Sequence, residues 1–531
     1  LASSTHVNPL RFVPVLYFMQ ALPVALVQDL SLVIYKSLGL PDGDILRWTS
    51  LLALPWSIKF LWGPLVELSS TKRKWLLLMQ ALIVVGMLAT AFAIQTPNFF
   101  GITLAIFATI AIFSATCDIA TDGYYLLSMS RDEQSKYVGL IPTSARLGRL
   151  FATALIVLLT GKLINGDITG SPVQANQAWG IGLFLLAGVY ALGRVLGPFL
   201  LPKPDGDIER RLPEGESGQN TVRLGSLIAT GGFIYFGAGA IFRLLGAGLS
   251  ALGIQAEKWK PVATDLYFLF VKFAEKVPGI QAELINLVIA VLGTAIFGRL
   301  AKRKLENTEI KTALVTFFGQ PAIGRILAFL LFYRFGEAVI GKLVPVFLQD
   351  KYTGPGDITH GLGFDVETFG YVNGVYGVVG ILLGGIIGGM FISRVGIRKS
   401  FWPLAAAMNI PNIMYIWAAS ALPGAGPMSV VMFVDQFGYG FGFAGYLVAL
   451  MYIAQQNPNY RTAHYAIGTG LGATFIMLAG ILGAALVDNL DYGPIFWIVL
   501  AFAFPCLLTI LLLPKEILDS KGAEVSLADL E

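Results

Sequence analysis

The run FLLFYRFGEAVIGKLVPVFL, Phe329–Leu348, decides the fold. Its length matches the roughly 20 predominantly apolar residues that a helix needs to cross a bilayer, yet Arg334 and Glu337 sit near its middle. A charge at that depth costs about 2.5–3.5 kcal/mol on insertion scales, so it persists where it has a partner or a task. Three residues apart, the two side chains fall on one face of a helix. Either they neutralise each other as an intrahelical pair, or Glu337 is an acid that exchanges a proton as burial and the arginine act on it.

Working outward, the whole chain reads the same way. Of 531 residues 55% are hydrophobic and 13% charged, with mean hydropathy +0.70, whereas soluble domains carry about a quarter charged residues. The bilayer is therefore the expected solvent, and about fourteen apolar runs are long enough to span it. Six lie at 11–38, 44–68, 75–95, 100–126, 137–163 and 178–200. After a linker rich in Pro, Gly and charge, PKPDGDIERRLPEGESGQN, come a pair at 224–253 and 283–301 and a second six at 322–348, 366–392, 399–420, 428–455, 464–486 and 494–513. The expected fold is an all-α membrane protein. Its parts are a six-helix bundle (1–203), a cytoplasmic linker (204–223), an inserted transmembrane pair with an interfacial helix (224–303), a second six-helix bundle (304–515) and a cytoplasmic tail (516–531). The spans of the two bundles are numbered first to twelfth below.

Orientation follows from the basic residues, which concentrate on the cytoplasmic side of membrane proteins. With the N-terminus cytoplasmic, Lys72, Arg73, Lys74, Arg131, Lys136, Arg210, Arg211, Arg223, Lys302, Arg303, Lys304, Arg394, Arg398 and Lys399 all fall inside. Lys258, Lys260, Lys272 and Lys276 alternate with Trp259, Tyr267, Phe268 and Phe273, as in an amphipathic helix on the outer interface. The first apolar stretch is too long for a cleavable signal and is kept as a span. No basic run suits nucleic acid, three histidines make a metal cluster implausible, and Cys117 and Cys506 are packing residues rather than a disulfide. No cofactor is expected.

The two groups of six look like a repeat. GPLVELSSTKRK, with Gly63, Glu67 and Lys72–Lys74, is answered in the second group by GMFISRVGIRK, with Gly389, Arg394, Gly396 and Arg398. Both resemble the Gly, acid and basic-turn motif of the major facilitator superfamily, with Ser393 where the second acid would stand. That resemblance implies parallel halves around a central cavity. Gly380, Gly384 and Gly388 recur every four residues, as do Gly438 with Gly442 and Gly480 with Ala484, offering flat ridges for close helix approach.

Further polar groups lie at bilayer depth. Lys59, between Trp56 and Trp62 in the second span, either receives an anionic substrate or pairs with an acid on a neighbouring span. Asp118 and Asp122 stand one turn apart in the fourth span, and Arg146 of the fifth lies at a matching depth, so an Asp118–Arg146 ion pair is expected. Asp122, with Glu67, Arg73 and Arg149, is assigned to an inner gate. Asp435 and Gln436 in the tenth span, Asn373 in the eighth, and Gln20, Gln28 and Asp29 in the first either line the cavity or act as interhelical hydrogen-bond glue. Trp56, Trp62, Tyr124, Tyr125, Tyr333 and Tyr371 are positioned to stack on sugars or a nucleobase, or to anchor the interface.

The ordered runs YFMQALPVAL, IKFLWGPLVE, CDIATDGYY, SARLGRL, YRFGEA, the VNG of the eighth span and VDQFGYGFGFAGYLVALM together resemble the AmpG-like muropeptide permeases and their relatives, the acetyl-CoA transporters. The resemblance implies a proton-coupled symporter that imports anhydro-muropeptides across the bacterial inner membrane for peptidoglycan recycling, with acetyl-CoA or another anionic metabolite as the alternative cargo. It places Lys59, Asp118, Asp122, Arg146, Arg334, Glu337, Asn373 and Asp435 on family-like polar positions, while Asp29 departs from the pattern. Proton coupling is assigned to Glu337, Asp118, Asp29 and Asp435, and substrate contact to Lys59, Arg146, Arg334, Asn373, Gln20, Gln28, Trp56, Tyr333 and Gln436. The expected partners are membrane lipids, a small molecule and protons, with the chain acting as a monomer. A membrane-embedded enzyme is disfavoured because no histidine or cysteine stands beside a carboxylate motif. A sensor is disfavoured because PKEILDSKGAEVSLADLE is too short for an output domain.

Overall fold

The computed structural model describes residues 8–59, 62, 66, 70–129, 140–204, 207, 226, 288–289, 291–300, 309–351, 360–457 and 460–514. Contacts divide the chain into two units, residues 1–210 with 320–531, and residues 211–319. In the smaller unit the described helices are Val291–Leu300 and Glu309–Phe318. The expected span at 224–253 apart from Ser226, the interfacial helix around Lys258, the gate residue Glu67 and the tail from 516 lie outside the described residues.

In the larger unit helix meets each of the twelve apolar runs, and no β-strand occurs among the described residues. The first half contains Pro9–Ser37, Asp42–Leu51 with Leu54–Ile58, Lys72–Ala93, Phe99–Ser128, Leu140–Leu150 running on to Val157–Asn165, and Ala175–Leu200. The second half contains Ile323–Phe332 with Phe335–Gln349, Val366–Val395, Ile397–Asn409 with Asn412–Ala421, Ala425–Gln455, Arg461–Val487, and Tyr492–Ala501 with Ala503–Leu512. Side-chain oxygens mark several starts by taking orphan amides of the first turn: Thr71 accepts from Lys74 N at 3.1 Å, Asp365 from Thr368 N at 2.9 Å and Asp491 from Tyr492 N at 2.8 Å. The fifth span ends on Gly166, whose φ of +85° suits glycine.

Pairing between the halves has the symmetry of a repeat. The second span packs on the eleventh and the fifth on the eighth, while the first meets the seventh. Exchanging the halves turns the second–eleventh contact into the eighth–fifth contact and leaves the first–seventh contact in place, as for parallel repeats about a common axis. The glycine ridge does what its spacing promises: Gly380, Gly384 and Gly388 lie against the backbone of Phe433, Phe437 and Phe441 in the tenth span, with no room for a Cβ. Gly438 and Gly442 do the same against Ala407 and Leu404 of the ninth, and Gly480 faces Ser50 across the two halves.

Three spans contain a wide π-helical turn, Leu26–Leu30, Phe151–Ile156 and Gly370–Gly377. Such a turn inserts a residue and re-aims the side chains around it, a device common at functional sites. The fifth-span and eighth-span turns touch where Gly374 lies against Thr153 and Ala154. The seventh span is irregular at Tyr333–Arg334, where Arg334 leaves helical geometry at φ −110°, ψ 6°.

Candidate functional site

Four groups of polar side chains gather in and between the bundles. In the first bundle Lys59 pairs with Asp118, linking the second and fourth spans. This corrects the expected Asp118–Arg146 pair: the guanidinium of Arg146 instead lies against Gly385 of the eighth span, across the halves. One turn below Asp118, Asp122 accepts from the Tyr17 hydroxyl at 3.4 Å, and Trp62 Nε1 donates to Thr116 at 3.2 Å. Arg73, expected at a gate with Asp122, makes its hydrogen bonds to other residues among those described. Its guanidinium donates to the Pro198 and Leu201 carbonyls at 2.8 and 3.4 Å, and its backbone N–H donates to Asp207 at 3.0 Å, so it fastens the third span to the end of the sixth.

The second group joins the halves. Arg149 donates through Nε and Nη2 to both oxygens of Asp29 at 3.0 Å, a bidentate geometry that fixes both partners. Arg149 was expected at the gate and Asp29 among the coupling acids; the structure makes them one pair between the fifth and first spans. Their electrostatic neighbour is Lys342 of the seventh span, buried at 6% exposure. Its ammonium donates to the Gln28 carbonyl at 3.4 Å, so Gln28 participates through its backbone.

The third group lies in the second bundle. Glu337 is 4% exposed and Asp435 fully buried, and Glu337 Oε2 and Asp435 Oδ1 have no hydrogen-bond partner among the described residues. The Tyr415 hydroxyl and Gln436 Nε2 each donate to Asp435 Oδ2 at 2.9 Å. Asp435 and Arg334 are the charges that act on Glu337. Arg334 forms no ion pair with it, because the break at Tyr333–Arg334 separates the two side chains. The guanidinium is held by aromatic faces, 4.2 Å from the Phe443 centroid, 5.1 Å from Tyr446 and 5.5 Å from Tyr439, whose hydroxyl also accepts from Nη2. Cation–π contact of this kind is worth about 2 kcal/mol where water is excluded. Tyr333 is buried and donates to the Gly442 carbonyl at 3.2 Å, so it packs rather than presents a ring to a ligand.

The fourth group closes the halves together at the face bearing the loop after Ser37. Lys36 of the first span bridges Asp42 at 2.5 Å and Asp350 of the seventh at 2.6 Å, and the Tyr492 hydroxyl donates to Asp42 at 2.9 Å. Arg47 spans Asp44 at 2.8 Å and Asp488 at 2.7 Å. Asn165 donates to Asp365 and Glu367, each at 2.9 Å. Burial pushes the Asp488 carboxyl up, beyond what Arg47 offsets. Burial also acts on Asp365, but hydrogen bonds from Thr368 and Asn165 outweigh it and hold that carboxyl below the usual carboxylate range.

Trp56 Nε1 and Gln20 Oε1 are buried without a hydrogen-bond partner among the described residues, and Asn373 lies on the eighth-span π turn. Lys342, Tyr415 and the Tyr439–Phe443–Tyr446 platform were not singled out from the sequence. Lys342 carried a legible signal, a lysine inside a span; the aromatic platform carried none beyond its four- and three-residue spacing.

The arrangement is that of the major facilitator fold, and solved structures agree. The inward open conformation of the xylose transporter XylE from E. coli matches with TM-score 0.57 at 12% identity, covering 98% of each chain. A POT family transporter in complex with 5-aminolevulinic acid matches with TM-score 0.61 at 15% identity, covering 96% of each.

Within that fold, curated sequence relatives bear the names of the AmpG-like permeases. The anhydromuropeptide permease of Escherichia coli K12 is 21% identical over 208 residues, 39% of this chain and 40% of that protein. A putative transporter AmpG 4 of Rickettsia conorii is 21% identical over 204 residues, 38% and 45% of the two chains. An uncharacterized protein of Haemophilus influenzae is 27% identical over 205 residues, 37% and 45%. The chain thus spans less than half the length of the curated relatives it matches. No family model matches it.

Proposed function

We propose that this protein is a proton-coupled secondary transporter that carries anhydro-muropeptides into the cytoplasm by alternating access, rather than an enzyme. The observation that carries the reading is Glu337, a carboxyl buried in a spanning helix with one oxygen unpartnered and Asp435 as its charged neighbour. An acid so placed is expensive to keep charged, and a proton is the simplest neutraliser. Moving that proton on and off as the site opens to either side couples its gradient to the rocking of the halves. Asp435 shares the proton-bearing role.

The Lys36–Asp42–Asp350 and Arg47–Asp488 links act as the outer gate, closed here, and are broken when the halves rock the other way. Lys59 and Asp118 form a pair that a substrate anion can open. Gln20, Asn373, Trp56 and Arg146 line the path between the bundles. Both termini face the cytoplasm of a bacterial inner membrane, and the chain works as a monomer.

The reading is supported by the fold and by the permease names of the relatives. Its test is uptake of labelled anhydro-muropeptide into proteoliposomes with and without an inward proton gradient. Accumulation that requires the gradient is expected. Uptake of acetyl-CoA but not of muropeptide, or uptake indifferent to the gradient, would contradict it.

A further inference from the structure

Arg149, Asp29 and Lys342 make an incomplete charge set. Two cations and one carboxylate meet between spans of opposite halves, in the middle of the molecule rather than at its ends. Arg149 and Asp29 satisfy each other through two hydrogen bonds. Lys342 has three ammonium donors, is nine-tenths buried, and among the described residues reaches only the Gln28 carbonyl at 3.4 Å, beyond good hydrogen-bond range. Its stem runs past Gly480, where a Cβ would stand 3.4 Å from Lys342 Cγ, so its course is set by the seam between the second and eleventh spans. Uncompensated positive charge at such a place is costly. An incoming anion lowers that cost, and Arg149, half exposed, offers the way in. The π turn at Leu26–Leu30 carries both Gln28 and Asp29.

We propose that Arg149, Lys342 and Asp29 form a carboxylate subsite that straddles the two halves, with Lys342 as its specificity-determining cation. The subsite rests on the transporter reading above and adds the chemistry by which the cargo is selected. A carboxylate of the cargo binds the Lys342 ammonium and the free edge of Arg149, and Asp29 sets the strength of that binding by competing for the same arginine. Because Lys342 belongs to one half and Arg149 to the other, an anion bound to both draws the halves together.

The test uses the full-length protein in nanodiscs and two probes, an anhydro-muropeptide with free peptide carboxylates and the same molecule with those carboxylates amidated. The parent is expected to bind the free form about tenfold more tightly. Lys342→Gln brings the ratio close to one, Lys342→Arg keeps it, and Asp29→Asn raises it by removing the competing internal anion. A Lys342→Gln protein that unfolds cooperatively and retains the parent's ratio overturns the subsite, as does an unchanged or lowered ratio in Asp29→Asn. Should Lys342→Gln fail to fold, Asp29→Asn decides alone. If the parent binds neither probe, the muropeptide reading falls by itself, and the subsite is decided with glutarate at constant ionic strength. Thermal protection of the parent that Lys342→Gln lacks supports it, and equal protection of both overturns it.

Discussion

The two halves handle buried charge in opposite ways. In the first, two of the described acids within the membrane have a fixed cation, Asp118 in Lys59 and Asp29 in Arg149, and Asp122 has the Tyr17 hydroxyl alone. In the second, Arg334 is held by aromatic rings, and Glu337 and Asp435 each keep an unpartnered oxygen among the described residues. A paired acid stays charged and holds helices in register, whereas an acid without a cation stays open to a proton. On the transporter reading proposed above, we assign the cation-paired acids of the first half to the scaffold and Glu337 and Asp435 of the second to the proton.

The largest effect that can break this contrast is on Glu337. Glu337→Gln is expected to lower gradient-driven accumulation by about a hundredfold or more while leaving substrate exchange partly intact; accumulation at the parental level would remove Glu337 from coupling. Next comes Lys59→Gln, which strands Asp118 and is expected to destabilise the protein by about 3–5 kcal/mol. The double variant Lys59→Gln/Asp118→Asn recovers part of that loss if the pair is a scaffold element, which thermal unfolding of all three proteins can settle.

Arg334→Lys keeps the charge but gives up the planar stacking on Phe443 and Tyr446, for an expected loss of about 1–2 kcal/mol in the same assay. A loss near zero would mean that the rings are mere neighbours. The smallest effect concerns the gate. The Asp488 carboxyl is raised by burial in the closed state, so that state binds its proton more readily than one in which Asp488 is exposed. Lowering pH from neutral into the carboxylate titration range then favours closure, modestly because the group is part-exposed. A spectroscopic distance between labels on the outer ends of the second and eleventh spans should shorten; lengthening would reverse the assignment.

Much of the fold was legible because apolar length and glycine spacing are local properties. Helix meets each of the twelve runs, nine described helices, or ten with the bent pair ending at Gln349, are long and apolar enough to cross a membrane, and the Gly380–Gly384–Gly388 ridge lies against the tenth span. The identity of the charged residues was legible too. Their partners were not, because partnership depends on helix rotation. The π turns in the first and fifth spans shift the faces of Asp29 and of the residues after Arg149, and the break at Tyr333–Arg334 undoes the shared face of Arg334 and Glu337. Depth alone matched Asp118 to Arg146, but depth says nothing of azimuth, and Lys59 faces Asp118 instead. The Lys36–Asp42–Asp350 gate was missed for a different reason: each member sits at the end of a run, where a charge looks ordinary.

Whether the second half handles the proton is tested most directly by recording lumenal pH in dye-loaded proteoliposomes as anhydro-muropeptide is added without an imposed gradient. The parent should acidify the lumen as cargo enters, and Glu337→Gln should admit cargo with no acidification. Equal acidification by both proteins would contradict the division of labour between the halves.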